Sequence, residues 1–293
     1  MPGKNQSRSC SRSIAEFLRA ALLLPALVLI SNSASADASP VGLESGFRRL
    51  YDLDFPGAQR DFESWEKANP ENPMGPVSEA AGILFSEFDR LGVLESQFYE
   101  NDSVFASRKK YEPDPKQRAL FEQRLTTAET MAKATIAKDA KNRDALLALT
   151  LVSGLRSDYA ALIEKRNVAS LKYTKESSAW AQQLLAADPT CYDAHLAGGI
   201  TKYIVGSMAA PVRWLLRLGG VPADKAGGIA DLHTVATRGR LLAPFARILL
   251  AIAYVRDKDV TRAKETLTAL SKDFPNNPLF GKELARLENP PHP

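Results

Sequence analysis

The chain has 293 residues, 45% of them hydrophobic and 25% charged, with 17 glycines, 18 prolines and a formal net charge of +4. This composition excludes collagenous, disordered and disulfide-dense classes, and leaves room for two ordinary domains or one elongated array. The charge is uneven: residues 1–36 hold Lys4, Arg8, Arg12 and Arg19 against Glu16, a balance of +3, so the remainder is near +1. A near-neutral body with mixed charges has no counterion-release footprint, which argues against nucleic acid as a partner.

In chain order, the basic leader runs into the apolar stretch Ala20–Ile30, AALLLPALVLI, and then into a polar segment ending Ala34-Ser35-Ala36. Eleven residues at about 1.5 Å each span about half a hydrocarbon core, and Pro25 interrupts them. The pattern reads as a cleaved signal peptide over residues 1–36, with a small-x-small cleavage site before Asp37 and export to a periplasm or beyond the cell. The basic leader and its cleavage site suit a bacterial exporter. Cys10 precedes the apolar run, unlike a lipoprotein cysteine. Cys191 then stands alone, so no intramolecular disulfide forms and the exported chain depends on its core.

From residue 41 onward the apolar spacing is helical, with no sustained two-residue alternation. Helices are expected over 41–51, 55–68, 75–91, 115–138, 142–163, 167–187, 191–206, 223–238, 241–256, 259–273 and 277–288. Asp114 before Pro115, and Asp259 before Val260, suit N-caps, and several helices stop near a proline, as at Pro70, Pro189 and Pro275. An all-α chain with short turns follows. The sequon Asn101-Asp102-Ser103 lies in a charged loop, which also contains the basic run Arg108-Lys109-Lys110.

One spacing recurs. Ala58, Phe62, Trp65 and Pro70 are separated by 4, 3 and 5 residues; so are Ala263, Leu267, Leu270 and Pro275, and more weakly Ser177, Ala181, Leu184 and Pro189. The exits are alike too, Asn69-Pro70-Glu71-Asn72-Pro73 against Phe274-Pro275-Asn276-Asn277-Pro278. Small residues allow close helix approach, large ones interlock with the next hairpin, and proline ends the helix. This pattern resembles the tetratricopeptide repeat, a helical hairpin of roughly 34 residues. The resemblance covers residues 42–73 and 242–288 well and 143–206 loosely. It implies a right-handed α-solenoid over 37–288, with insertions at about 92–114 and 207–224, a capping helix at 278–288 and a tail at 289–293. The helices at 115–138 and 142–163 exceed the usual hairpin length.

Catalytic constellations are absent from the sequence pattern. His195, His233 and His292 have no partner at metal-ligand spacing, and no P-loop, nucleophile elbow or dinucleotide fingerprint occurs. Cys191 reads as a half-buried structural thiol. Asp52-Leu53-Asp54 reads as a polar hairpin turn, and Gly219-Gly220 and Gly227-Gly228 lack the context of a phosphate cradle. The chain is therefore expected to be no enzyme and to use no cofactor or metal. Residues 203–228 stand out, because Trp214 sits between Arg213 and Arg217 in an apolar run. Three readings are open there: a segment folded back over the concave side, a partner-binding element, or an amphipathic contact with a membrane or apolar ligand.

Tetratricopeptide-like arrays generally hold peptides or partner domains in a groove lined by the first helix of each hairpin. The resemblance thus implies an exported protein- or peptide-binding scaffold, and nominates Lys202, Tyr203 and Arg247, with Trp214 from the insertion, as partner-binding residues. An envelope protein that binds a lipid through 207–220 is the alternative. An enzyme assembled from distant hairpins is a third class.

Overall fold

Side-chain caps and hairpin packing fix eleven α-helices among the described residues, and every regular element there is helical. The computed structural model describes residues 42–94, 110–208, 210, 213–214, 218, 220 and 222–289. The leader, the sequon, Arg108, Lys109, Arg217, Gly219 and His292 lie outside them. The helices are α1 (Leu43–Tyr51), α2 (Phe55–Ala68), α3 (Met74–Arg90), α4 (Pro115–Lys138), α5 (Arg143–Asp158), α6 (Asn167–Ala187), α7 (His195–Ser207), α8 (Lys225–Arg238), α9 (Ala243–Arg256), α10 (Val260–Asp273) and α11 (Pro278–Glu288). The expected helix over 142–163 is regular only to Asp158 and continues as a π-helical turn, Tyr159–Ile163. A 3-10 turn, Tyr192–Ala194, precedes α7.

Asp54, Asp114, Asn142, Asp224, Asp259 and Asn277 each accept a backbone N–H at the start of the helix that follows, satisfying donors that a helix N-terminus leaves free. Neighbours in sequence are neighbours in space: α1–α2, α3–α4, α5–α6, α7–α8 and α9–α10 pair, and α2–α3, α4–α5, α6–α7, α8–α9 and α10–α11 pack between the pairs. The residues at the recurring spacing face this packing. Ala58, Phe62, Ala263, Leu267, Leu270, Ser177, Ala181 and Leu184 are all buried. Ser177 stands at a small-residue position and donates to the carbonyl of Thr150 at 2.8 Å, tying α6 to α5.

The connections repeat in detail. Between α1 and α2, Leu53 adopts φ 62°, and between α9 and α10 Lys258 adopts φ 61°. In both turns the N–H of the following aspartate reaches back over the left-handed residue at 2.9 Å, from Asp54 to Arg49 O and from Asp259 to Tyr254 O. That is the closing bond of a Schellman-type helix end. At the exits, the carbonyls of Asn69, Asp139, Asp188 and Phe274 each accept from the residue three further on.

The two ends of the array also meet. The Tyr51 hydroxyl donates to Leu241 O at 3.1 Å, and the Asn277 side chain donates to Tyr51 O at 2.8 Å. Asn276 bonds Asp52 through both its backbone N–H and its side chain. The Tyr51 and Phe274 rings meet edge-on, as do Phe85 of α3 and Phe245 of α9. The first and second helical pairs therefore both touch the fifth, an arrangement that the repeat spacing does not indicate.

The helix over Arg143–Ile163 is long and apolar enough to cross a membrane, yet 67% of that apolar window is buried inside the protein. It is the helix on which α3, α4 and α6 pack.

Candidate functional site

The four nominated residues do not come together. Lys202 Nζ bonds Asp231 Oδ2 of α8 at 2.7 Å. Tyr203 is buried, and Lys225 Nζ lies 5.9 Å from its ring centroid. Burial pushes the Tyr203 phenol up. Arg247 Nη1 bonds Asp273 Oδ2 of α10 at 2.7 Å. Lys202 and Arg247 thus fasten the first helix of a pair to the second, and Tyr203 fills the space beside α8. A helix presents different stripes to its hairpin mate and to its other neighbours. The sequence gives their period but leaves their phase to packing.

Trp214 differs from the other three. It is 65% exposed, as is Leu218 four residues on. Both are helical residues. Arg213 holds the base of this segment, its Nη1 donating to Gly206 O at 3.2 Å at the C-terminal end of α7. For Trp214 and Leu218, the folded-back reading of the insertion is overturned. The two largest apolar side chains described there point to solvent.

A second feature lies on α5. On α5, Thr150, Gly154 and Ser157 face α6, while Arg156 and Tyr159 face α4 through Glu129 and Phe121. Leu147, Leu151 and Asp158 recur at helical spacing on a third side, and α3 packs on this helix as well. Leu151, Asp158 and Leu162 are only half-buried, as are Phe85, Phe245 and Ile248. Among the described residues no group bonds the Asp158 carboxyl, and burial pushes it up to about 7.

A third feature joins α2, α3 and α4. Glu79 is 7% exposed and lies 2.9 Å from Arg124 Nη2, which also bonds Glu66. Gln59 donates to Glu79 at 3.2 Å. Burial, then a hydrogen bond shared with Glu66, pushes the Glu79 carboxyl from 4.5 up to about 8, against the opposing pull of Arg124. A carboxyl raised on folding favours the folded state below its unfolded value, and that contribution is lost as pH rises through the folded one. Melting temperature is thus expected to fall from about pH 5 to about pH 8, and Glu79→Gln should flatten the profile. A variant with the wild-type slope would contradict this.

The remaining titratable candidates are engaged. Cys191 is buried, and burial raises its thiol despite nearby Arg143. His233 Nε2 meets the Tyr254 hydroxyl at 2.7 Å. Among the described residues, no group of three or more His, Cys, Asp or Glu side chains is placed to hold a metal ion.

Neither a scan against family models nor searches of curated proteins and of solved structures find a match for this chain.

Proposed function

We propose that this is an exported, non-enzymatic binding protein of tetratricopeptide-like, solenoid-type helical pairs, and that it docks a protein partner in the cell envelope through the Trp214–Leu218 face. The carrying observation is the exposure of these two large apolar side chains on a segment held by Arg213. The paired caps, matched exits and buried spacing residues support the repeat reading, and the leader pattern supports export. Aromatic side chains flanked by arginine are the usual anchors of protein interfaces, and losing a buried tryptophan anchor costs about 2 kcal/mol or more. The same side chains also suit the interface of a bilayer, which is the second reading.

The test is affinity capture from a native envelope extract, with wild type beside Trp214→Ala and Leu218→Ala. Near-stoichiometric recovery of one protein is expected, falling about thirtyfold with Trp214→Ala, the equivalent of 2 kcal/mol. Equal recovery by all three baits, or vesicle binding without any protein, would defeat the scaffold reading.

A further inference from the structure

The helices fall into two groups, α1–α6 and α7–α11, joined at two places. The chain passes from one group to the other through the turn at Asp188–Cys191 and the 3-10 turn after it. Packing there is thin: of all consecutive helices, α6 and α7 pack least on each other. The second junction is the closure between the ends, and it runs through turns and single side chains rather than along helices. The Tyr51 hydroxyl donates to Leu241 O at 3.1 Å, Asn277 donates to Tyr51 O at 2.8 Å, and Asp52 accepts twice from Asn276. Glu44 and Arg240, both about half exposed, pair at 2.7 Å. Water screens such a pair, so it holds the ends weakly. The matched exits show what the closure replaces. Asn72 in the first exit donates to Asp144 of α5 at 2.8 Å, whereas Asn277 at the same place in the last exit donates to Tyr51 O of α1. The last exit thus grips the first pair in place of a later one. One turn ties the two junctions together. Asp193, just beyond Cys191, accepts from the N–H groups of Arg240 and Leu242 at 3.0 Å and of Leu241 at 3.2 Å. The same turn offers Leu241 O to Tyr51 and the Arg240 side chain to Glu44. A rotation at residues 188–191 is therefore carried to the closure by a fixed turn.

We propose that the array works as a clasp: the two groups swing about the turn at 188–191, and Tyr51 and Asp52 release Leu241, Asn276 and Asn277. Each group keeps its own packing during the swing, because α5 on α6 and α7 on α8 are the most extensive helix contacts in the molecule. Sub-global openings follow the thinnest packing, and hinges are element-terminal residues that absorb the backbone change. The device rests on neither the Trp214 face nor its partner, so failure of either proposal leaves the other standing.

A native reporter lies in the hinge turn: Cys191 is buried, with its thiol beside Arg143 of α5. The experiment follows iodoacetamide modification of Cys191 in the full chain by peptide mass spectrometry, at urea concentrations below the unfolding transition. It compares wild type with Tyr51→Phe, Asp52→Ala and Asp259→Ala, and takes global stability from urea melts of the same proteins. The urea slope of wild-type alkylation is expected to be about half that of global unfolding or less, since only the two junctions become wetted. Tyr51→Phe and Asp52→Ala should each speed alkylation about threefold or more, the usual worth of a lost hydrogen bond. Asp259→Ala removes a helix cap inside one group, so it should lower global stability and leave alkylation unchanged. A wild-type slope equal to that of global unfolding, or no alkylation short of unfolding, overturns the clasp. A shallow slope with a rate that neither closure variant changes means fraying of the turn alone, and overturns it too.

Discussion

Asp193→Ala is expected to lower the folding free energy by about 3 kcal/mol or more, read as a shift of the urea midpoint at constant slope. Asp193 is 3% exposed in the turn before α7. Its Oδ1 accepts from Arg240 N and Leu242 N at 3.0 Å each, and its Oδ2 from Leu241 N at 3.2 Å. No side chain caps α9, so these three bonds serve the turn that enters it. Alanine would leave three backbone donors without partners, two of them buried, at about 1–3 kcal/mol each. The same turn is held from the far end of the array by the Tyr51 hydroxyl on Leu241 O. Asp193→Asn keeps the shape but turns one acceptor into a donor, and should fall between alanine and wild type. A loss below about 1 kcal/mol for Asp193→Ala would mean that water or a shifted turn replaces the carboxylate.

Gly228→Ala should be the second large effect. A Cβ at Gly228 would sit 2.5 Å from Tyr203 N, 2.8 Å from Gly199 O and 2.9 Å from Tyr203 Cα. All three are backbone atoms of α7, so no rotamer change relieves the clash and the two helices must part. Overpacking of this kind costs about 1–3 kcal/mol, here against a gain of about 0.5–1 kcal/mol from replacing a helical glycine. Gly281→Ala is the matched control, because nothing lies within 4 Å of its added Cβ and α11 should gain from the change. Thermal melts of the two variants should move in opposite directions. Equal shifts would show that α7 and α8 do not meet at Gly228.

The helices were legible in the sequence because their start signals are local. Asp114 and Asp259 cap where their positions before the apolar runs indicate, and α4 has the expected limits. The spacing residues were legible as well, since Ala58, Phe62, Ala263 and Leu270 are buried as close-approach and interlocking positions should be. Gly199 meets Asp231, Gly228 and Leu232 of α8, as a close-approach residue must. What local patterns could not give was helix phase and long-range closure. Lys202 and Arg247 reach carboxylates of their hairpin mates, and Lys225 of α8 lies over the Tyr203 ring. Asp193 and Tyr51 reach the turn at Leu241 from 48 and 190 residues away in sequence, and nothing near either residue announces it. Asp158 left a faint signal, a lone carboxylate in register with Leu147, Leu151 and Leu162. Glu79 left none, because its partners Glu66 and Arg124 come from two other helices.

The most direct test of the proposed binding role replaces Trp214 with a photo-crosslinking amino acid in living cells and resolves the adducts after irradiation. A single discrete protein adduct, absent when the same group is placed at exposed Val168 on α6, is the expected result. Adducts with lipid alone, or none at 214, would contradict a protein partner at this face.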